Sequence, residues 1–465
     1  MKFRIEKDSL GEVKVPSQAL WGAQTQRAVD NFAISGIKMD FPFTKSFVSS
    51  LGLIKDAAAK TNLRLKLISS KKSKAISKAA KEVWQEKHHH QFPIDVFQTG
   101  SGTSSNMNAN EVIGNLASKF LKEKVDPNDD VNMSQSSNDV IPTAIKISAH
   151  LDMTKKLLPS LNELIKEINI KSEKIKGTIK TGRTHLMDAM PIDFSDELSA
   201  WSSQLESSKE NLIFLSKKLL ELPQGGTAVG SGINAHKQFS KYFAQEVTKL
   251  TGNKYKFISS NNFYHELSAQ DCSVQLSGEL KNLAIILTKI SNDLRWMNSG
   301  PLSGLSEIEL KALQPGSSIM PGKINPVIPE AVAMASADVI GNDVSISVAA
   351  QSGSFQLNVM LPVIAYNLLK SINLLSGAMN ALAKKAIRTF KVNHKNLEDS
   401  LLKNPILVTA LNPIIGYEQA AMIAKKAYKE RRPIIEVAVE ETNLSKSRLE
   451  KLLDPKKLAK GGIQK

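Results

Sequence analysis

The chain has 465 residues, of which 42% are hydrophobic and 23% are charged, a composition typical of soluble enzymes with two to four domains. Its 61 basic side chains exceed its 45 acidic ones by 16, so its average field attracts anions, either nucleic acid or small acidic substrates. The single cysteine, Cys272, excludes an internal disulfide, a multi-cysteine zinc site and a cysteine-ligated iron–sulfur cluster within one chain.

The first residues alternate charged and apolar side chains and lack the apolar run of a signal peptide, so we expect a cytoplasmic protein. Residues 1–137 predict an N-terminal domain with a short extended start and shorter, mostly helical segments. Residues 138–390 predict a central bundle of about five long helices. Residues 391–465 contain turn signals at Asn404-Pro405 and Asn412-Pro413 and predict a small C-terminal helical domain. The predicted fold class is therefore mainly all-α.

The central helices are predicted from apolar side chains that recur every three or four positions. These stripes run from Leu157 to Ile168, Leu198 to Leu222, Leu276 to Leu294 and Ile364 to Leu382, and an alanine-rich segment at 329–340 favours a fifth helix. Long helices with narrow apolar stripes pack against antiparallel neighbours. We expect Pro142 to lie in the first turn of its helix and Pro159 to kink the same helix.

Two segments rich in hydroxyl, amide and glycine residues precede predicted helices. The first, at 99–106, contains Ser101, Gly102 and Thr103, and the second, at 134–139, contains Ser136, Ser137 and Asn138. Unpaired backbone N–H groups and polar side chains at a helix start can bind an anion. Simple helix capping explains either segment taken alone and is the favoured interpretation for each.

Two further polar segments interrupt the predicted bundle. Residues 181–191 contain Thr184 and His185, although a lone histidine is more often a packed or surface residue than a catalyst. Residues 316–326 hold two glycines, two prolines, two serines, Lys323 and Asn325, a composition that packing alone does not explain. They do not form a phosphate-binding loop, because the glycine spacing is wrong and Ile324 stands where a magnesium-binding hydroxyl is required.

The segment Gly316-Ser-Ser-Ile-Met-Pro-Gly-Lys-Ile-Asn-Pro326 resembles the signature of the fumarase/aspartase superfamily, and the other three segments occur in that family's order. Thr184-His185-Leu-Met resembles class II fumarases, since aspartases usually carry glutamine in place of the histidine. The resemblance covers essentially the whole chain. It implies a three-domain fold and a homotetramer with a twenty-helix core, in which three subunits build each active site.

The resemblance to class II fumarases also implies residue roles in the reversible hydration of fumarate to L-malate, without a cofactor or a metal. Ser317 would be the general base, His185 would exchange the proton of the C2 hydroxyl through bound water, and Glu330 would orient the imidazole. Lys323 and Asn325 would bind one carboxylate. The remaining substrate-binding positions would be Ser101, Gly102, Thr103, Ser136, Ser137, Asn138, Thr184, Ser318 and Ile324.

One segment departs from the pattern of class II fumarases. The family often has a second, peripheral dicarboxylate site, which would correspond here to Asp126, Pro127, Asn128 and Asp129. Acidic residues, Glu123 and Asp126, stand where the family has an arginine and a histidine. We therefore expect an anion to bind poorly at this peripheral site.

Three alternatives remain open from the sequence. The first is an aspartase, which releases ammonia from L-aspartate on the same carbon skeleton. The second is a basic nucleic-acid-binding protein, although aromatic residues for base stacking make up only 6% of the chain. The third is a non-catalytic relative, which the presence of all five residues with implied chemical roles disfavours. We expect no membrane partner.

Overall fold

The computed structural model describes residues 2–39 and 43–463, and these residues are mostly helical, which confirms the predicted fold class. The chain forms two compact units. The first unit comprises Met1–Pro159, Ser208–Ala284 and Ala335–Gly377, and the second comprises Ser160–Ser207, Ile285–Met334 and Ala378–Lys465. The predicted domain bounds at 137/138 and 390/391 stay a prediction.

Eighteen α-helices are present in the described residues. The first nine are α1 (Ala23–Asn31), α2 (Lys45–Arg64), α3 (Ser70–Trp84), α4 (Thr103–Leu121), α5 (Ser137–Asp152), α6 (Leu158–Ile175), α7 (Phe194–Lys218), α8 (Phe239–Leu250) and α9 (Phe263–Ser268). The others are α10 (Asp271–Met297), α11 (Val327–Ala350), α12 (Leu361–Ala381), α13 (His394–Lys403), α14 (Asn412–Ile415), α15 (Tyr417–Glu430), α16 (Ile434–Glu441), α17 (Lys446–Leu452) and α18 (Pro455–Leu458).

Short strands form five pairs, all antiparallel except one. The strands are β1 (Phe3–Asp8), β2 (Gly11–Pro16), β3 (Ile179–Thr184), β4 (Met187–Asp193), β5 (Glu221–Leu222), β6 (Ile258–Ser259), β7 (Ile308–Glu309), β8 (Gly353–Ser354), β9 (Leu357–Asn358) and β10 (Lys391–Val392). Strands β1 and β2 form the extended start that the sequence predicts, and β5 and β6 are the parallel pair.

Five long helices, α6, α7, α10, α11 and α12, contain the points at which the chain passes from one unit to the other. The apolar stripes predicted on α6, α7, α10 and α12 are buried. On α10, for example, no surface is exposed at Leu276, Leu280, Leu283, Leu287, Ile290 and Leu294. Hydrogen bonds identify neighbouring helices within a unit, from Ser277 of α10 to Asp343 of α11 and from Asn342 of α11 to Ser371 of α12. The heptad-like spacing therefore predicted the core correctly.

The helix that follows the second polar segment begins earlier than the sequence suggested. Because α5 starts at Ser137, Pro142 lies in its second turn and not in its first, so that expectation was wrong. A π-helical turn at Met153–Leu157 separates α5 from α6, and Pro159 follows it in the first turn of α6. The proline has no N–H to donate to Lys155, which explains the irregularity that the sequence predicted there.

Helix α11 differs from the other long helices, because it is apolar on most of its circumference and only partly covered. By length and composition it could cross a membrane, with a mean hydropathy of 1.2 and 33% of its apolar window buried. However, Asp343 on α11 accepts hydrogen bonds from Ser277 and Lys281, and Asp338 pairs with Lys370. Such paired carboxylates are typical of a helix packed among protein elements, since charged groups are costly in lipid.

Candidate active site

The first predicted donor segment lies at the start of α4. Gly102 caps this helix in the left-handed conformation with a φ of 74°, and a Cβ there would approach Ile141 of α5 to 2.8 Å. The Ser101 and Thr103 hydroxyls hydrogen-bond to each other at 2.8 Å. Glycine is therefore required at position 102, both for its φ and for the close approach of α4 to α5.

The second donor segment forms a capping box at the start of α5. The Ser136 hydroxyl accepts from Asn138 N at 3.2 Å, and Asp139 Oδ1 accepts from Ser136 N at 2.9 Å. The capping interpretation is thus correct for Ser136, whose hydroxyl hydrogen stays available to a ligand. Asn138 Nδ2 donates one hydrogen to Ala228 O at 2.8 Å.

The buried amide of Asn106 joins the two donor segments. Asn106, on α4, donates from Nδ2 to Ser137 Oγ at 3.0 Å. Asp139 fastens a neighbouring loop to the same place, since its Oδ2 accepts from Gly225 N and Thr227 N at 2.9 Å each. The first unit therefore presents Ser101, Thr103 and Ser137 from two adjoining helix starts, and we call these residues with Ser136 and Asn138 the donor shelf.

The third segment forms a β-hairpin that sequence reasoning missed. Strands β3 and β4 pair from Ile179 to Asp193, and Thr184 lies opposite Met187. His185 and Leu186 form the two-residue turn, with φ values of 56° and 61°, and both side chains are exposed. Positive φ at both turn positions matches the twist of the strands. The structure thus places His185 at an exposed hairpin tip.

A buried ion-pair network anchors the base of this hairpin. Glu307, 2% exposed, accepts from Arg183 Nη1 at 2.5 Å and pairs with Lys180 Nζ at 2.7 Å. Lys180 also pairs with Glu197 of α7 at 2.8 Å. Breaking one partner of such a buried pair would leave an uncompensated charge. The network therefore fixes the strand that ends at Thr184 and His185.

The fourth segment is an exposed loop whose two ends are joined. Gly316 N donates to Lys323 O at 2.8 Å, and Asn325 Nδ2 donates to Gly316 O at 2.7 Å. A Cβ at position 316 would lie 2.4 Å from Lys323 O, so only glycine fits there. Lys323 Nζ donates to Asn325 Oδ1 at 2.9 Å. The loop thus holds the Lys323 and Asn325 side chains side by side.

Ser317 lies in this loop with its side-chain oxygen facing backbone donors. Its Oγ accepts from Ile319 N at 3.2 Å and from Met320 N at 3.0 Å. Two N–H dipoles directed at one oxygen lower the free-energy cost of placing negative charge on that oxygen. Ser318 is exposed beside it.

Two cavities adjoin the loop in the second unit. The larger, of about 1030 Å³, is lined by Lys323, Ile324, Asn325 and Glu330, together with Arg295. The smaller, of about 490 Å³, is lined by Ser317, Lys323 and Ile324. Lys323 and Ile324 therefore line both cavities, and the cationic Arg295 is a lining residue to which the sequence reasoning assigned no role.

The structure brings some predicted residues together and leaves others apart. Within the described residues of the second unit, no hydrogen bond connects His185 with Glu330, and neither cavity is lined by His185. The predicted orientation of the imidazole by Glu330 stays a prediction. The donor shelf belongs to the first unit, whereas Thr184, His185 and the residues from Ser317 to Glu330 belong to the second.

The proposed peripheral site is already occupied by a carboxylate of the chain itself. Asp126 caps the π-helical turn Pro127–Val131 and accepts from Asn128 N at 2.9 Å and Asp129 N at 3.2 Å. Burial raises the pKa of Asp126, but the N–H groups of Asp129 and Asn128 and the nearby Lys124 outweigh it and lower the pKa overall. The backbone donors that an anion would need are therefore engaged.

Groups of three or more metal-binding side chains are not found in the parts of the chain that the structure describes.

Sequence reasoning also missed the buried Lys55 of α2. Its ammonium donates to Oδ1 of Asn106, the residue that joins the two segments of the donor shelf, at 2.7 Å. A weak signal was present, because the residues three and four positions from Lys55 on the same helix face include the apolar Leu51, Ala58 and Ala59, all of which are buried.

Comparisons with known proteins agree over the whole chain. Residues 11–341 match a family described as lyase, and residues 407–460 match the family described as fumarase C C-terminus. A class II fumarate hydratase of Pseudomonas aeruginosa is 56% identical over 460 residues, 99% of each chain. The chain belongs to the class II fumarase family.

Two further members of the family support this assignment. A class II fumarate hydratase of Bacillus subtilis is 44% identical, with 99% of each chain covered. The crystal structure of a class II fumarase from Schistosoma mansoni superposes with a TM-score of 0.95 at 38% identity, and covers 98% of this chain and 99% of that one. The mainly helical fumarase fold of the single chain, which the resemblance predicted, is therefore confirmed.

Proposed function

We propose that this protein is a fumarate hydratase, which interconverts fumarate and L-malate by acid–base catalysis. The observation that carries this proposal is the full-length identity of 44–56% to class II fumarate hydratases. The aspartase alternative is not favoured, because curated relatives that are 44–56% identical over the full length carry the hydratase name. A cytoplasmic location is part of the same proposal.

Ser317 is proposed as the base that removes the proton from C3 of malate. Loss of this proton leaves its electron pair on the adjacent carboxylate, which becomes a doubly charged aci-carboxylate group and needs concentrated hydrogen-bond donors. The N–H groups of Ile319 and Met320 that face Ser317 Oγ support this role, since they stabilise the alkoxide that the base requires. Lys323 and Asn325, held together in the same loop, are suited to bind the carboxylate.

His185 is proposed to act on the opposite side of the substrate. It donates a proton through a bound water to the C2 hydroxyl, which leaves as water, and takes the proton back in the hydration direction. Glu330 orients the imidazole in this proposal. The donor shelf and Thr184 provide neutral hydrogen bonds to the substrate, and Gly102, Ser318 and Ile324 shape the site around them.

A homotetramer with active sites shared by three subunits is proposed as the working form. The exposed side chains of α11 support it, because Met334, Val344 and Val348 are 68%, 59% and 52% exposed on a long apolar helix. Contiguous exposed apolar surface is typical of a subunit interface. The exposed hairpin tip at His185 is equally suited to complete a site on another copy.

The peripheral anion site is proposed not to function in this protein. Asp126 engages the N–H groups of Asn128 and Asp129, and its charge repels a dicarboxylate. These contacts give a geometric reason for the expectation that an anion binds poorly at the peripheral site.

A single assay tests the proposed function. Purified protein is mixed with L-malate or with L-aspartate, and the absorbance of fumarate is followed in each case. Fumarate formation from malate alone is expected, whereas formation from aspartate with release of ammonia would make the protein an aspartase. Salt-sensitive retention on DNA without either activity would favour the nucleic-acid-binding alternative.

Subunit mixing tests the shared sites. Ser317→Ala and His185→Asn subunits are each expected to be inactive, and random mixing should place both intact residues in about a quarter of the centres. Activity should therefore reappear after verified subunit exchange. If no activity returned, each site would lie within one chain.

A further inference from the structure

Lys55 is a fully buried lysine that holds three neutral amide side chains around its ammonium group. Its Nζ donates to Asn106 Oδ1 at 2.7 Å, to Asn132 Oδ1 at 2.9 Å and to Gln135 Oε1 at 3.0 Å. An ammonium group has three hydrogens, so these three oxygens use all of them. The carboxylate of Asp139 attracts this ammonium group and acts to raise the pKa of Lys55.

The ammonium fixes the orientation of the amide groups, because it can only donate hydrogen bonds. Asn106 must turn its oxygen towards Lys55, and therefore its Nδ2 faces Ser137 Oγ at 3.0 Å. Gln135 is fixed in the same way, since its Nε2 donates to Val131 O and Met133 O at 3.1 Å each. The direction of each bond thus follows from the one charged group.

The hydrogen bond from Asn106 Nδ2 to Ser137 Oγ determines in which direction the Ser137 hydroxyl can donate. A hydroxyl oxygen that accepts from Asn106 cannot also direct its hydrogen towards Asn106, so the hydrogen points to another side of the oxygen. If Asn106 were reversed, Ser137 would donate to the Asn106 oxygen instead and would present only lone pairs elsewhere. Lone pairs repel a carboxylate, whereas the hydroxyl hydrogen attracts it.

We infer that Lys55 is a positioning residue that, through Asn106, holds the Ser137 hydroxyl as a hydrogen-bond donor for the substrate carboxylate. The inference rests on the proposed function, which places Ser137 against the substrate. It adds a residue that touches no substrate atom and lies outside every polar segment that the sequence singled out.

The energetic cost of Lys55 agrees with such a role. Burial lowers the pKa of Lys55 to about 7, and the carboxylate of Asp139 opposes this shift. An apolar side chain at this position would avoid the cost of burying a cation among neutral partners. A lysine that only filled space would therefore be a poor choice for stability.

The test combines Lys55→Met, Ser137→Ala and the double variant, assayed with malate at about pH 6, where Lys55 is charged. Ser137→Ala is expected to raise KM about tenfold, since one hydrogen bond to a charged group is lost. Lys55→Met should raise KM to a similar extent with little change in kcat, because the bond is made equally in the ground and transition states. The double variant should be no worse than Ser137→Ala alone.

Asn106→Asp provides a second variant in case Lys55→Met does not fold. The carboxylate keeps an ion pair with Lys55 but cannot donate to Ser137, so the hydroxyl should reverse and KM should rise as in Lys55→Met. Lys171→Met is the matched control, because this buried lysine donates to Phe390 O at 2.7 Å in the other unit. The control is expected to lower stability and to leave KM unchanged.

The outcomes separate the inference from the proposed function. An unchanged KM in both Lys55→Met and Asn106→Asp, or losses that add to that of Ser137→Ala, would overturn the role of Lys55 while Ser137 kept its place in the site. An unchanged KM in Ser137→Ala would instead remove Ser137 from the substrate and the inference with it. If the proposed function itself were wrong, the wild-type protein would not convert malate to fumarate.

Discussion

The donor shelf and the residues with proposed acid–base roles differ in how the protein holds them. Ser101 and Ser137 are buried at adjoining helix starts, and hydrogen bonds to other side chains determine their orientation. His185 lies at an exposed hairpin tip, and Ser317 lies in an exposed loop supported mainly by its own backbone. The donor shelf is thus preorganised within the first unit, whereas His185 and Ser317, which have the proposed acid–base roles, lie on exposed segments of the second.

The largest predicted effect is the loss of turnover when His185, at the exposed hairpin tip, is replaced. His185→Asn should lower turnover in both directions by roughly two orders of magnitude or more, the size typical of losing a general acid–base group. The free energy of unfolding should hardly change, since the side chain packs against little and the turn keeps a residue that tolerates positive φ. Steady-state kinetics and a urea titration measure both quantities.

A His185→Asn tetramer with near wild-type turnover would remove the histidine from the reaction. Arg183→Met serves as the contrasting variant, because it leaves the buried Glu307 without one of its partners. That variant should lower stability, and activity should fall through the displaced hairpin.

A second prediction compares two glycines with similar backbone conformations. Gly102, with a φ of 74°, faces Ile141 at 2.8 Å, whereas Gly322, with a φ of 82°, has open space around its would-be Cβ. Gly322→Ala should lower the free energy of unfolding by about 1–2 kcal/mol through backbone strain alone. Gly102→Ala should lower it by more, because the methyl group also pushes α4 away from α5. Equal losses would mean that the close approach at the shelf is not tight.

The sequence predicted those parts of the molecule in which local pattern and tertiary packing agree. The stripe from Leu276 to Leu294 has the period of a helix and is wholly buried. The sequence did not predict the β3–β4 hairpin, because its turn, His185-Leu186, lacks the glycine or asparagine that usually signals positive φ. The sequence did not predict the buried position of Lys55, because a lysine is usually exposed. Only the three-dimensional arrangement brings the amide oxygens of Asn106, Asn132 and Gln135 around its ammonium group.

A third prediction concerns pH and the buried pair beneath the shelf. Burial raises the pKa of Asp139 to about 6, against the effect of backbone N–H groups and Lys55, and burial lowers the pKa of Lys55 to about 7. The stability from Asp139 is present below the ordinary aspartate pKa of 3.8 and is lost as pH rises through about 6. The stability from Lys55 is present above the ordinary lysine pKa of 10.5 and is lost as pH falls through about 7.

These two groups should together contribute least to stability between their two pKa values. On the alkaline side of that minimum, Lys55 should add up to about 1.4 kcal/mol of unfolding free energy per pH unit. The difference between wild type and Lys55→Met, measured by urea unfolding at several pH values on the alkaline side, gives this contribution together with the effect of Lys55 on the titration of Asp139. A difference that did not vary with pH would show that Lys55 keeps its ordinary pKa in the folded protein.

The smallest effect is expected from the long-range field of the whole chain. A net charge of +16 attracts a dianionic substrate, and salt screens this attraction over about 8 Å at physiological ionic strength. KM for malate should therefore rise severalfold from low to high sodium chloride, a salt chosen to limit competition by multivalent anions. The turnover number is the internal control, because the enclosed groups act on substrate already bound and are screened little. A flat KM would mean that the excess positive charge does not steer substrate to the site, and that the donor shelf and Lys323 account for its capture at short range.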